Sequence, residues 1–219
     1  MEGIAARYKR LFVRGEGAER IAYYSDAVFA IAMTLLVVDL TIPDDATSSD
    51  QVLLEEWPAY AAFALSFVII AVAWIGHHRR FRFITGHDSG LIWINFALLF
   101  VIASLPFPTR LMSEFAPEVP AVVLYGSAVA LLQVIEMTQW IYCWRRGLLS
   151  KDIDRALFWY VIWDDIPVIV VFGASIVIAF TIGGTAAMYT WFGLFLVAPV
   201  AGVIASRRLD RTARAAEPA

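Results

Sequence analysis

The sequence predicts an all-α integral membrane protein with six spans, and three observations carry that reading. Of 219 residues, 60% are hydrophobic and only 17% charged, against about 45–50% and about 25% in soluble domains. Six stretches approach the roughly 20 apolar residues that a bilayer-crossing helix needs. Sixteen of the seventeen Lys and Arg residues then fall on one side of the resulting serpentine, as the positive-inside bias requires.

The spans are expected at residues 23–42, 57–76, 91–107, 121–144, 166–182 and 186–206, together forming one membrane domain over 1–219. The first apolar run stops at Pro43. Residues 1–20 before it are basic and polar, with no apolar core of a cleavable signal. The third and fifth spans are short, at about 17 residues, and still within the tolerated length. Asp164-Asp165-Ile166-Pro167 reads as a helix start, with carboxylates near the positive end and proline in the first turn. A short cytoplasmic helix over 152–163 is expected to lead into it.

The basic side holds Arg7, Lys9, Arg10, Arg14 and Arg20, then Arg79, Arg80 and Arg82, then Arg145, Arg146, Lys151 and Arg155, and finally Arg207, Arg208, Arg211 and Arg214. Only Arg110 lies opposite, among Asp44, Asp45, Asp50, Glu55, Glu56, Glu114 and Glu118. Both termini are therefore expected in the cytoplasm. An acidic outer rim concentrates cations at a pore mouth, although depletion of Lys and Arg outside leaves acids there by default. Asp39 differs from the loop acids because it lies inside the first span, close to its outer end.

On the first helix, Ile31, Thr34, Leu35 and Val38 share one stripe, which extends through Ala27 and Tyr24 inward and Thr41 and Ile42 outward. Asp26 points roughly 140° away from that stripe and is expected to face neighbouring helices. Arg20 and Ser25 stand at the same end and are expected to satisfy it, since a carboxylate in a span needs a partner. Periodicity alone leaves the stripe open to pore lining, ordinary packing or lipid contact.

His77 and His78 end the second span beside three arginines, as polar residues complementing a helix C-terminus do. Adjacent histidines diverge by about 100° on a helix, so a metal site with Asp26 is not expected. Gln133, Glu136 and Gln139 form a polar stripe on the fourth span, suited to interhelical hydrogen bonds, with Glu136 a candidate proton site. The single cysteine, Cys143, excludes an intrachain disulfide. No constellation stands at catalytic spacing, so the chain is read as no enzyme, with no cofactor and no nucleic-acid partner. A proton-coupled secondary transporter using Asp26, Glu136 and His77 is the alternative class. Neither an inverted repeat nor a pair of Gly/Pro-broken helices supports it.

Arg20-x-x-x-Tyr24-Ser25-Asp26, running into Ala-Val-Phe-Ala-Ile-Ala-Met-Thr-Leu-Leu-Val-Val-Asp, resembles the R-x-x-x-F-S-D signature of the lysosomal potassium channel (transmembrane protein 175) family in its bacterial form. The likeness continues in Trp74-Ile-Gly-His77-His78-Arg-Arg-Phe81, in Leu91-Ile-Trp93-Ile-Asn95-Phe and in Leu105-Pro-Phe-Pro-Thr109. The resemblance implies a six-helix subunit in the bacterial inner membrane, assembled as a homotetramer around a central pore for potassium ions. It implies that the first helices line this pore, with Ile31, Leu35 and Val38 as the constriction, Thr34 as a hydroxyl ring and Asp39 at the mouth. It also implies that Trp74, His77 and Asn95 pack on the Arg20, Tyr24, Ser25 and Asp26 cluster. The signature phenylalanine is Tyr24 here. The T-V-G-Y-G filter of ordinary potassium channels is absent, so potassium preference must arise differently.

Overall fold

A computed structural model of the chain describes residues 15–16, 18–42 and 47–194, with only the backbone described at 15, 16 and 39. In chain order, the described helices are α1 (Glu19–Leu35), continuing as a 3-10 turn Leu36–Asp39, α2 (Ser49–Glu55) and α3 (Trp57–Phe81). They are followed by α4 (Ser89–Ser104), α5 (Pro106–Phe115), α6 (Val119–Arg146), α7 (Arg155–Thr181) and α8 (Gly184–Trp191). Among the described residues, five segments are long and apolar enough to cross a membrane: Glu19–Val38, Trp57–Phe81, Ser89–Phe115, Val119–Arg146 and Arg155–Thr181. The protein is thus an all-helical, multi-pass membrane chain. The sixth expected span, 186–206, begins in α8 and otherwise lies outside the described residues.

Among the described residues four apolar clusters hold the helices together, and two of them are the largest. Phe29, Ala32 and Leu36 from one face of α1 meet Ile70 of α3, Leu98 and Ile102 of α4 and Leu132 of α6. Tyr125, Val129, Phe172, Ala179 and Trp191 join α6, α7 and α8. Between them, the buried Ser66 hydroxyl lies 2.7 Å from the Thr109 hydroxyl and 3.0 Å from that of Tyr125. This pins α3, α5 and α6 by hydrogen bonds that hydrocarbon cannot replace.

At one end, three loops are knotted together. Strand β1 (Gly15–Glu16) pairs antiparallel with β2 (Gly86–His87). Ile84 bridges Leu149, the Thr85 N–H donates to the Leu148 carbonyl at 2.9 Å, and the Ser150 N–H donates to the Phe83 carbonyl at 2.8 Å. Gly147, at φ +66°, turns the chain out of α6 in the left-handed conformation that a C-terminal glycine adopts most easily. Asp88 caps α4 by accepting from the Leu91 N–H at 2.9 Å, from the Tyr142 hydroxyl at 3.0 and 2.9 Å, and from Arg146 Nε at 3.2 Å. Burial opposes ionisation of Asp88, but these donors outweigh it and hold its carboxyl below the usual carboxylate range. Three of the four basic segments therefore meet at the same end, as alternating spans demand.

The structure moves several expected boundaries. The second span extends to Phe81, so Arg80 is a buried helical residue and no loop charge. His77 is likewise internal, 1% exposed, and does not serve as an interfacial cap. The expected helix start at Asp164–Pro167 is absent: 152–163 and 166–182 are not separate elements, because α7 runs unbroken with Pro167 inside it. Asp165 is buried there and bonded to Arg80 and Gln133, so its carboxylate is satisfied from other helices and marks no N-terminus.

Candidate pore helix and its polar support

Helix α1 has two unlike faces. Ser25, Phe29, Ala32 and Leu36 are buried against the rest of the subunit. The opposite stripe is open: Ile31, Leu35 and Val38 are 57%, 46% and 66% exposed, and Thr34 with them is exposed. Ala27 and Tyr24 extend this free stripe toward one end, and Thr41 and Ile42 toward the other. The helical-wheel grouping therefore survives in three dimensions as an exposed stripe. The 3-10 turn from Leu36 tightens the helix over its last exposed residues. Asp39 closes that turn, and its side chain lies outside the described residues.

The buried face is held by a ladder of polar bonds through α1, α3, α4 and α6. Ser25 Oγ donates to the Ile21 carbonyl at 2.8 Å and accepts from Asn95 Nδ2 at 2.9 Å. Asn95 Oδ1 in turn accepts from Gln139 Nε2 at 3.2 Å and lies 3.1 Å from His77 Nε2. A carbonyl oxygen only accepts, so the network assigns the proton of neutral His77 to Nε2. Phe29 and Phe81 cover the imidazole at ring-centroid distances of 5.4 and 4.3 Å. Asp26 accepts from the Trp74 indole at 2.8 Å, which ties the signature carboxylate to α3 as its helical position required. Beside Asp26 a cleft of about 300 Å³ opens among Tyr23, His78 and Arg82.

Not every expected partner is in place. Arg20 is exposed, and the Trp74 indole occupies the role expected of it at Asp26. Ser25 bonds to Asn95 rather than to Asp26. Tyr24 is 55% exposed and sets its ring edge-on to Phe96 at 5.9 Å, so its added hydroxyl is left accessible and needs no buried partner. At the far end of the stripe, Val38 and Thr41 line a pocket of about 240 Å³ with Glu55, Glu56, Arg110 and Glu114. Arg110 Nε and Glu114 are paired at 2.8 Å.

Known proteins resemble this chain in sequence and in fold. The family described as endosomal/lysosomal potassium channel TMEM175 matches residues 20–106, from the signature arginine to the start of α5. A potassium channel of Streptomyces collinus is 32% identical over 142 residues, which cover 62% of this chain and 69% of that protein. The chain belongs to the TMEM175 family. A potassium channel of Chamaesiphon minutus is 40% identical over 100 residues, 44% of this chain and about half (49%) of that protein. The crystal structure of a lysosomal potassium-selective channel TMEM175 homolog from Chamaesiphon minutus superposes with a TM-score of 0.60 at 26% identity. It covers 88% of this chain and 96% of that one. The family is one of ion channels and not of enzymes.

The matched region of the TMEM175 family contains α1 and its supporting ladder on α3 and α4, and stops short of α6 and α7. Gln139 therefore joins the ladder from outside it; its place in the polar stripe of the fourth span was the available signal. The capping role of Asp88 was equally visible as Asp88-Ser89-Gly90 before an apolar run. The pairing of Arg80 with Glu136 and Asp165 had no local signal, since the three residues come from three helices.

Proposed function

We propose that the chain is a potassium-permeable cation channel of a bacterial inner membrane, conducting passively through a homotetramer with its α1 helices around the pore. The observation that supports this most is the exposed Ile31–Thr34–Leu35–Val38 stripe, standing opposite a face fully committed to the subunit's own core. A helix with one buried and one free face, in a family of channels, suits a position between subunit core and central axis. The relatives named as potassium channels support the choice of ion.

Rings of Ile31, Leu35 and Val38 would narrow the pore with side chains that do not hydrate an ion, closing it by dewetting. Thr34 is suited to a different task. Its hydroxyl donates to the Ile31 carbonyl at 2.8 Å, which turns the proton inward and leaves the oxygen lone pairs for a cation. Asp39, Glu55, Glu56 and Glu114 would raise the local cation concentration at the outer mouth. In this arrangement both termini lie in the cytoplasm and α8 opens the sixth helix. Potassium is the permeant ion, and no cofactor takes part.

Planar-bilayer recording of the purified protein tests the reading. Ohmic current in symmetrical potassium without a proton gradient is expected; flux that requires a proton gradient would favour the coupled transporter instead. Under a potassium/sodium gradient, Thr34→Ala is expected to move the reversal potential toward zero. An unchanged permeability ratio would remove Thr34 from the selectivity mechanism.

A further inference from the structure

The spans contain a second polar site, apart from the pore helix. Arg80 of α3, Glu136 of α6 and Asp165 of α7 are buried, with only 7%, 2% and 2% of their surface exposed. Arg80 Nη1 donates to Glu136 Oε2 at 2.8 Å, and Nη2 donates to Asp165 Oδ1. Gln133 Nε2 donates to the same two oxygens, at 3.3 Å to Glu136 and 2.6 Å to Asp165. All these donors converge on one oxygen of each carboxyl group. The other oxygen of each, Glu136 Oε1 and Asp165 Oδ2, is buried without a hydrogen-bond partner among the described residues.

The charges do not balance. Two carboxylates face one guanidinium, and Gln133 adds donors without charge. On α3 the remaining titratable neighbour is His77, three residues before Arg80, whose Nδ1 is buried with no acceptor among the described residues, so the ring carries its proton on Nε2. On α7 it is Asp164, which is exposed. No second cation among the described residues compensates the pair. A net negative charge in a membrane-buried cluster is strongly unfavourable, and two carboxylates sharing one cation relieve it by sharing a proton. The site lies about 15 Å inside the cytoplasmic end of α6, since Glu136 is ten residues before Arg146 at about 1.5 Å per residue.

We infer that Arg80, Glu136 and Asp165 form an intramembrane proton-binding site holding one exchangeable proton between the two carboxyl groups. With the proton bound the cluster is neutral. Release to water leaves a net charge of −1 at the junction of α3, α6 and α7, three residues along α3 from the His77 that supports α1. The site does not depend on which helix lines the pore.

Infrared difference spectroscopy of the full chain in lipid vesicles tests this without reference to conduction. At neutral pH the wild type should show the carbonyl stretch of a buried protonated carboxyl group, shifted in deuterated water and lost on raising the pH. Asp165→Asn and Glu136→Gln should each abolish it, because removal of either acid leaves one carboxylate balanced by Arg80. Asp165→Glu and Glu136→Asp, which keep both acids, should retain the band at a shifted frequency and serve if the amide variants do not assemble. Absence of the band in the wild type would overturn the inference, as would its persistence in either amide variant. An unshifted band in both conservative variants would do the same.

Discussion

Asn95 is the residue on which the support of α1 converges, since one amide serves Ser25, His77 and Gln139 together. Asn95→Ala leaves His77 of α3 and Gln139 of α6 without their partner and takes from Ser25 its donor, at about 1–3 kcal/mol for each group left unsatisfied. The expected result is a clear drop in the thermal midpoint of the purified protein, larger than for removal of an exposed polar residue such as Thr34. Asp88 yields a pH-dependent expectation. Its carboxyl is held below the ordinary value, so its contribution is present above the unfolded carboxylate range and lost as pH falls through the folded pKa. Thermal scans should show wild-type stability declining at roughly pH 4 and below. Asp88→Asn should be less stable at neutral pH and have a shallower acid limb; an identical limb would remove Asp88 from the acid response. The family resemblance implied Ser25, Asp26, Trp74, His77 and Asn95 as neighbours, while the reading of the helix end assigned Arg20 and Ser25 to Asp26, which Trp74 binds instead. Arg20 and Asp26 are six residues apart, which sets them about 120° apart around the helix and about 9 Å along it. The indole of Trp74 reaches what Arg20 does not.

Among the elements, the loop end of α6 is set by close approach. A Cβ on Gly90 would run into the Tyr142 hydroxyl, the same group that binds Asp88. Gly90→Ala should therefore push Tyr142 off the Asp88 carboxylate and destabilise the protein by about 1–3 kcal/mol. Adding Tyr142→Phe should recover part of that loss by removing the oxygen that clashes; no recovery in thermal scans would mean that the contact is not the cause. Helix α7 shows where local sequence misleads. Asp164-Asp165-Ile-Pro contains genuine start signals, yet Asp165 is satisfied by Arg80 and Gln133 on other helices. With that charge compensated and apolar residues on both sides, the helix continues through Pro167 despite its missing N–H. Compensation between helices cannot be read from the spacing within one. The five described spans were legible, because hydrocarbon forces long apolar helices on any sequence that crosses it. The short α2 and the β1–β2 pairing carried no comparable signal.

For the whole molecule, the charge asymmetry predicts that the basic loops share one side, and the structure brings Gly15–Glu16, the α3–α4 loop and the α6–α7 loop together at one end; that this end is cytoplasmic belongs to the proposed function. The stripe on α1 was legible as a stripe but not as a pore, since a single sequence does not say whether an apolar face meets lipid, protein or water. Its exposure in the subunit and the TMEM175 relationship support the pore lining proposed above. In the proposed channel this stripe is the constriction. Single-channel recording in symmetrical potassium, with Leu35→Ala beside Val177→Ala, tests it most directly. Val177 on α7 is comparably free, at 63% exposure against 46% for Leu35, but belongs to a helix remote from α1. A higher conductance or open probability is expected for Leu35→Ala, and wild-type currents for Val177→Ala. Wild-type currents from Leu35→Ala, in protein that still assembles, would contradict this assignment.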